Sequence, residues 1–284
     1  MFSKNFAVVL LGTSLALSQA QAAPKHAKPP KTLRLYIFDC GIIHTTNVDA
    51  YSLKKEEVGS TEMSIPCLLI AHPKGTLMWD NGDIPDSAFK PGGGPAAAGV
   101  VTQARPLLPQ LAEVGYTPAD IKYLAMSHYH GDHVANANAF AGSTWLVRKV
   151  ERDRMFSNDP IPRSDPANYS ALKNSKTIFI DKDEYDVFGD GTVILKSTPG
   201  HTPGHQSLFL KLAKTGPVVL SGDLYHYPEE RTLNRLPVAE FNKEQTAASR
   251  AELETFLKKT GAQLWIQHDI QGNAKLKKAP AFYE

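Results

Sequence analysis

His128-Tyr129-His130-Gly131-Asp132-His133 places three imidazoles and one carboxylate within six residues. A sharp loop can turn all four of these side chains toward one point. Imidazole and carboxylate ligands without thiolates suit zinc, and less selectively iron, manganese or cobalt. Chance is a poor explanation for so dense a cluster in a chain with 10 histidines. The motif therefore predicts a metal site.

Three further motifs follow in the order that a second metal ion requires. The segment TPGHTPGH contains His201 and His205, SGDLYH contains Asp223 and His226, and IQHD contains His268. A single histidine is usually a solvated surface side chain, but four such elements together indicate a two-metal site.

Each candidate ligand lies at or just beyond a strand-like run. Residues 123–126 lead into the first motif and residues 263–266 lead into His268. From residue 33 onward, short β-rich runs alternate with amphipathic stretches, which predicts two β-sheets between helical layers in one α/β domain over residues 33–284. Helices are predicted near 102–114, closed by Gly115, and after Asn242 as far as Gly261.

The N-terminus has the pattern of a secretory signal. Lys4 supplies a positive charge, residues 6–17 form an apolar run, and Ala20-Gln21-Ala22 is a small-x-small cleavage site. The prediction is a signal peptide over 1–22 and a flexible Pro- and Lys-rich spacer over 23–32, hence a periplasmic or secreted protein. The run is too short to span a membrane, so no stable membrane insertion is expected. The alternative is a buried N-terminal helix.

The charge balance argues against nucleic acid as a partner. Lys and Arg number 31 against 29 Asp and Glu, for a formal net charge of +2, and removal of residues 1–22 takes away Lys4 alone among charged side chains. A nucleic-acid-binding surface needs a larger excess of positive charge. A small-molecule substrate is expected instead, and the oligomeric state is left open.

Cys40 and Cys67 each lie in a strand-like segment, and both interpretations of the pair remain open. They form a disulfide in an oxidising compartment if the two strands are neighbours. Otherwise they are two small buried apolar residues, because a sequence does not supply the Cα separation that a disulfide needs.

With these motifs the chain resembles the metallo-β-lactamase superfamily, whose HxHxDH motif is followed by separate His, Asp and His elements. The resemblance implies an αββα sandwich and two divalent metal ions, with zinc as the expected metal. It also implies a division of ligands: the first ion is held by His128, His130 and His201, the second is held by Asp132, His133 and His268, and Asp223 bridges the two.

Two further residues take supporting roles from the same resemblance. His205 follows the family ligand in TPGHTPGH, so it is expected to support a ligand or to pack. Asp80, in WDNG, matches the aspartate of the family's DTG turn, with Asn81 in place of the usual Thr. Asp80 is expected to orient a ligand or brace the loop, and a plain turn residue is the alternative.

A bridging Asp223 points away from the zinc β-lactamases. The segments LRLYIFDCG, TPGHTPGHQSLFL, SGDLYH and IQHD are most similar to those of N-acyl homoserine lactonases, which open the lactone ring of quorum-sensing signals. The resemblance implies ring opening by a hydroxide that bridges the metal ions, with Asp132 carrying the proton to the leaving group.

One position departs from the lactonase pattern. Many of these enzymes have a tyrosine three residues after the bridging aspartate, where it donates a hydrogen bond to the substrate carbonyl. This chain has His226 there, between Tyr225 and Tyr227. His226 or Tyr225 is expected to take the donor role, and the alternative is that they only line the wall.

The substrate pocket is expected to be walled by residues 42–65 and 155–169. Tyr51, Phe156 and Tyr169 are lining candidates, with ordinary packing as the alternative for each. Other functions compatible with the same metals are a glyoxalase II-like thioesterase, an organophosphate hydrolase and a β-lactamase. A non-catalytic periplasmic metal-binding protein is a further alternative, although it has no need of a proton carrier such as Asp132.

Overall fold

The computed structural model describes residue 1 and residues 28–92, 94–159 and 161–284. The predicted signal peptide over 1–22, apart from Met1, and residues 23–27 of the predicted spacer lie outside the described residues. The strands are β1 (Arg34–Ile43), β2 (Met63–His72), β3 (Gly75–Trp79), β4 (Ala96–Ala98), β5 (Val101–Gln103), β6 (Tyr123–Ala125), β7 (Thr144–Val147), β8 (Thr177–Phe179), β9 (Glu184–Asp186), β10 (Val193–Ser197), β11 (Gln206–Leu212), β12 (Gly216–Leu220), β13 (Gln263–Trp265) and β14 (Phe282–Tyr283). The α-helices are α1 (Leu107–Glu113), α2 (Gly131–Val134), α3 (Lys149–Met155), α4 (Pro228–Thr232), α5 (Lys243–Thr260) and α6 (Ile270–Ala274).

The strands form two mixed sheets. The first has the order β4-β5-β1-β2-β3-β6-β7-β8, with β14 also paired to β1. Its β1, β2 and β3 are antiparallel neighbours, whereas β3, β6, β7 and β8 run parallel. The second sheet has the order β13-β12-β11-β10-β9 and is antiparallel except for the parallel pair of β12 and β13.

The two sheets pack face to face with helices on their outer sides. Along β1, Leu35 and Ile37 join the core between the sheets, whereas Tyr36 and Phe38 join the core on the opposite face. Successive strand residues point to opposite faces, so a strand buried on both sides is apolar throughout. Helices α1 and α3 cover the first sheet, and α5 covers the second through apolar residues such as Leu253. The predicted αββα sandwich is confirmed.

Helix α1 is shorter than the sequence predicts. The prediction began at residue 102, but Thr102 lies in β5 and pairs with Ile42. Pro106 has extended backbone angles and is the N-cap residue of the helix. The carboxylate of Asp86 accepts hydrogen bonds from the N–H groups of Leu107 and Leu108, both at 2.7 Å, and so caps the helix.

Helix α5 begins and ends where the sequence predicts. The Asn242 side chain accepts a hydrogen bond from the Gln245 N–H at 2.9 Å. Gly261, with φ of 68°, donates its N–H to the Leu257 carbonyl, and glycine adopts this left-handed conformation without strain.

Cys40 and Cys67 form a disulfide, with their Cα atoms 5.8 Å apart. Both residues are fully buried. They lie on the antiparallel neighbours β1 and β2, beside an irregularity in the register between Asp39 and Ile42. Of the two interpretations that the sequence left open, pairing is the one that the structure contains.

Among the residues that the structure describes, no helix combines the length and the apolar composition that crossing a bilayer requires.

Candidate metal centre

Four of the predicted ligands lie on one tight turn at the end of β6. His128 lies three residues beyond the strand, and His130 is the N-cap residue of α2. Asp132 and His133 lie in the first turn of that helix. Strand, cap and helix therefore turn four side chains inward over six residues.

The other three predicted ligands come from the second sheet. His201 lies on the loop that follows β10, Asp223 lies in a short turn after β12, and His268 follows β13. Loops on both sheets thus meet at one edge of the sandwich, as is common for sites built on a rigid frame.

A first cluster gathers His128, His130, His201 and Asp223, all of them buried. The Nδ1 atom of His130 lies 2.8 Å from His128 Nε2 and 3.0 Å from His201 Nε2. The Asp223 Oδ2 atom lies 3.3 Å from His201 Nε2 and 3.5 Å from His128 Nε2. Each residue can offer one ligand atom to a single cation.

A second cluster gathers Asp132, His133, His268 and again Asp223. The Asp223 Oδ1 atom lies 3.0 Å from His268 Nε2 and 3.1 Å from His133 Nε2. Asp132 Oδ2 lies 3.3 Å from His268 Nε2. Asp223 therefore presents one oxygen to each cluster, and the two adjacent His/Asp sites are consistent with a dinuclear metal centre.

The chemistry of these side chains fits a pair of cations. The buried atoms His133 Nε2 and Asp223 Oδ1 have no hydrogen-bond partner among the residues that the structure describes. Burial raises the pKa of Asp132 and of Asp223, but the neighbouring histidines outweigh it and hold both pKa values well below their usual range. Buried anionic oxygens beside imidazole nitrogens are stabilised when a cation lies between them.

Asp80 orients one of the candidate ligands. Its Oδ2 atom lies 2.9 Å from His133 Nδ1, and its carboxylate also accepts from the Ser127 N–H at 2.7 Å and the Gln267 side-chain amide at 2.8 Å. Holding His133 at Nδ1 leaves Nε2 directed at the second cluster. Of the two expectations for Asp80, the structure contains the ligand-orienting one.

Two further ligands are held by partners that the sequence does not mark. His201 Nδ1 lies 3.0 Å from Glu240 Oε1. His268 Nδ1 donates to the Ser64 carbonyl oxygen at 2.8 Å. Glu240 belongs to no motif and lies 39 residues from His201 in sequence, so the fold alone brings them together.

His205 supports Asp223 rather than joining either cluster. Its Nδ1–H donates to the Thr198 carbonyl at 2.9 Å, and its Nε2 accepts from the Asp223 backbone N–H at 2.9 Å. Burial above all lowers the pKa of His205 to about 3, so the ring is neutral. The neighbouring Gly222 has φ of 54°, and a Cβ there would meet His205 Nε2 at 2.7 Å, so this close approach requires glycine.

Glu151 joins the two histidine-bearing loops from behind. Its buried carboxylate accepts hydrogen bonds from the Tyr129 N–H at 3.1 Å, the Thr202 hydroxyl at 2.8 Å and the Gly204 N–H at 2.7 Å. Burial raises the pKa of Glu151 to about 7. Nothing in the sequence distinguishes this glutamate, which lies on the helix α3.

His226 reaches the centre at the position where the lactonase pattern has tyrosine. Its Nε2 atom lies 3.2 Å from Asp223 Oδ2. Its Nδ1 and its backbone N–H both donate to Glu230, at 3.2 Å each. The same buried carboxylate receives the Arg250 guanidinium at 2.6 Å.

The structure does not bring Tyr225 to the site, which corrects the expectation that it contributes a donor. Tyr225 has extended backbone angles, so its side chain points away from that of His226. Its hydroxyl donates to Glu254 at 3.3 Å, and its ring lies 4.2 Å from the guanidinium of Arg250 in a separate cleft.

A cavity of about 680 Å³ opens above the two clusters. One wall is apolar and comes from β1, β2 and the hairpin of β4 and β5; it consists of Ile43, Met63, Ala98, Val100 and Val101. A second part of the lining is polar and comes from the loop after α3; it consists of Arg163, Ser164, Asp165 and Asn168. Both predicted wall segments are present, whereas the hairpin of β4 and β5 is a wall that the sequence did not predict.

Of the three lining candidates, one lines the cavity and two pack in the core. Tyr51 lines the cavity. Tyr169 is fully buried in the core, where Phe156 packs against it with ring centroids 5.8 Å apart. Ordinary packing, the alternative given for these two, is what the structure contains.

Comparisons with known proteins agree with this architecture. Residues 61–261 match the family described as the Metallo-beta-lactamase superfamily. N-acyl homoserine lactonase AttM from Azorhizobium caulinodans is 30% identical over 262 residues, which cover 89% of this chain and 99% of the relative. AttM from Rhizobium radiobacter is 31% identical over 265 residues, covering 88% and 98%.

Solved structures of similar proteins superpose on the same fold. An N-acyl homoserine lactone hydrolase with the product N-hexanoyl-L-homoserine at its catalytic metal centre gives a TM-score of 0.73 at 26% identity, covering 88% of this chain and 99% of that one. AidC, a dizinc quorum-quenching lactonase, gives a TM-score of 0.64 at 20% identity, covering 92% and 96%, and shows the shared fold.

Proposed function

We propose, from the premise that this chain belongs to the metallo-β-lactamase superfamily, that it hydrolyses the lactone ring of N-acyl homoserine lactones. The observation that carries the proposal is Asp223, which presents one carboxylate oxygen to each of two His/Asp clusters. Curated relatives about 30% identical over nearly nine tenths of the chain are named N-acyl homoserine lactonases.

We propose two divalent metal ions, most simply zinc, as the cofactors. His128, His130 and His201 would hold one ion, Asp132, His133 and His268 would hold the other, and Asp223 would contact both. Such a pair of ions lowers the pKa of a shared water and polarises the carbonyl that the water attacks.

Asp132 is the residue best placed to move the proton. Its side chain is 18% exposed toward the cavity, against 4% for Asp223 and 1% for His268. In the proposed reaction the water oxygen bonds to the lactone carbonyl carbon, and the bond from that carbon to the ring oxygen breaks. Asp132 accepts a proton from the attacking water and returns it to the alkoxide that ring opening releases.

The cavity supplies a place for the acyl chain. The apolar wall that includes Ile43, Met63 and Val101 removes methylene groups from water, each contributing about 0.8 kcal/mol. The polar residues of the same lining, such as Arg163 and Asn168, can hydrogen-bond the substrate amide.

The test is ring opening of N-acyl homoserine lactones with acyl chains of 4 to about 12 carbons, with elemental analysis of the same sample. Turnover together with about two metal ions per chain is the expected result. A thioester, a phosphotriester and a β-lactam complete the panel. A clear preference for one of these three over every lactone would replace the proposed substrate, and active protein without metal would refute the proposed centre.

We propose that the mature protein is exported. The signal-like pattern before Ala23 and the buried Cys40–Cys67 disulfide support this, because disulfides form and persist in oxidising compartments. N-terminal sequencing of the protein from the periplasm or medium is expected to begin near Ala23. Recovery of the active protein from the cytosol with Met1 intact would contradict export.

A further inference from the structure

We infer that Tyr51 is a catalytic residue whose phenol donates a hydrogen bond to the lactone carbonyl oxygen during ring opening. The inference rests on the proposed function and adds a residue from outside every motif of the chain. Tyr51 lies at the end of a short 3-10 helix, Val48–Tyr51, and lines the cavity together with Asp223, His226 and His268.

The Tyr51 ring lies directly against the centre. Its centroid is 4.6 Å from the ring of His226 and 5.1 Å from the ring of Tyr227. Tyr51 lines the same cavity as Asp223 and Asp132. These two aspartates belong to the two clusters, so the Tyr51 side chain and the candidate ligands share one cavity.

The backbone around Tyr51 is fixed by a loop that also supports a ligand. The Ala50 carbonyl accepts the Val238 N–H at 2.7 Å, and the Ser52 carbonyl accepts the Arg235 guanidinium at 2.7 Å. The same loop supplies Glu240, which holds His201. A donor held in this way needs little reorganisation when charge develops on the substrate.

His226 is poorly suited to be the donor. The Arg250 ion pair marks Glu230 as a carboxylate, and a carboxylate only accepts hydrogen bonds. The Nδ1 atom of His226 lies 3.2 Å from Glu230 Oε1. Its Nε2 atom lies 3.2 Å from Asp223 Oδ2, so both ring nitrogens already face carboxylates and the donor to the substrate carbonyl is sought on another side chain.

The Tyr51 hydroxyl is available for that role. The hydroxyl of its neighbour Tyr227 donates to the Thr61 carbonyl at 2.8 Å. By contrast, the Tyr51 hydroxyl makes no hydrogen bond with any residue in the described part of the chain. Burial first, and then the charge of Asp223, raise the pKa of Tyr51 above its ordinary value, so the phenol keeps its hydrogen at neutral pH.

The electron balance of the step is simple. As water attacks the carbonyl carbon, the carbonyl π electrons move to the carbonyl oxygen, and the Tyr51 O–H donates to that oxygen without releasing its proton. When the bond to the ring oxygen breaks, the electrons return to form the carboxyl group. Loss of one such donor typically costs about a hundredfold or more in kcat, and about tenfold to a hundredfold is expected here because the metal ions share the stabilisation.

The test compares Tyr51→Phe with Tyr227→Phe as the matched control, both as metal-loaded full-length proteins acting on N-hexanoyl homoserine lactone. Tyr51→Phe is expected to lower kcat by about tenfold to a hundredfold with KM within about twofold of the parent. Metal content and melting temperature are expected to stay at the parent values. Tyr227→Phe, whose hydroxyl faces Thr61, is expected to keep kcat within about twofold.

Three results would overturn the inference. Parental kcat in Tyr51→Phe would show that the phenol takes no part, while the proposed function would stand. A fall in kcat accompanied by loss of metal or of thermal stability would assign Tyr51 a structural role. A parent protein that opens no lactone would remove the proposed function and this inference with it.

Discussion

Asp132 differs from the other candidate ligands in that its side chain is partly open to the cavity. Asp132→Asn keeps one oxygen for a metal ion but cannot accept a proton. We expect metal content to stay near that of the parent, while kcat for ring opening falls by about a hundredfold or more. Elemental analysis and steady-state kinetics on the same sample check this. Unchanged kcat would mean that another group moves the proton.

His205 makes stability depend on pH. Its pKa is about 3 in the folded protein against an ordinary value of 6.5, so between these values the unfolded chain binds more protons. The free energy of unfolding therefore falls as pH falls below about 6.5, by up to about 2 kcal/mol at pH 5. The glutamine of His205→Gln takes up no proton when the chain unfolds. The metal-free variant is therefore expected to lose less stability between pH 7 and pH 5 than the metal-free parent.

Urea unfolding of both proteins after chelation measures this difference. Glu151, whose pKa is raised to about 7, contributes a slope of opposite sign in the same window. It is present in both proteins and cancels from the comparison. Equal losses in parent and variant would show that His205 does not titrate on unfolding.

At the scale of elements, the hairpin of β4 and β5 forms part of the apolar wall. Val100 at its tip is 58% exposed and lines the cavity, so a charge there is expected to spare folding. Val100→Asp is expected to raise KM for the N-decanoyl lactone about tenfold and KM for the N-butanoyl lactone less than twofold, because a short chain does not reach the tip.

Val150→Asp is the matched control, since Val150 is 49% exposed on α3 and does not line the cavity. Kinetics across a series of acyl chain lengths measure the effect. Equal shifts of KM in both variants, or a shift in Val100→Asp that does not depend on acyl chain length, would mean that the acyl chain does not bind against the hairpin of β4 and β5.

Elements with a strong local signal could be predicted from the sequence. Strand-like runs before each ligand became β6, β10, β12 and β13, and α5 has its cap at Asn242 and its end at Gly261. The hairpin of β4 and β5 was not predicted, because the alanines of β4 and the glycine that follows them carry little strand preference. Its pairing with the end of β1 is a tertiary effect.

The same reasoning explains which residues of the site could be predicted and which could not. The seven candidate ligands could be predicted because each lies in a short motif of metal-binding residues. The structure brings all seven together. Glu240, Glu230 and Glu151 were not predicted, because an isolated glutamate carries no sign of the partner that the fold brings to it. The prediction placed Tyr225 at the site, but consecutive side chains on extended backbone point to opposite sides, so only one of Tyr225 and His226 faces the cavity.

Across the whole molecule, the candidate ligands join loops of both sheets. The proposed ions would stabilise the folded state by mass action, by about 4 kcal/mol for each ion at a thousand times its dissociation constant. Chelation is therefore expected to lower the melting temperature by at least about 10 °C, and added Zn²⁺ is expected to restore it. Thermal unfolding with and without a chelator is the measurement. An unchanged midpoint would mean that the centre binds metal weakly or not at all.

The division of candidate ligands between the two halves of the chain has a consequence for how the protein matures. His128, His130, Asp132 and His133 precede β9, whereas His201, Asp223 and His268 come from the second sheet. Neither set alone encloses both metal positions. An N-terminal segment whose synthesis is still under way therefore lacks a complete set of ligands for an ion. Binding of both proposed ions would therefore require that the two halves have docked, so metal loading would be a late step of assembly.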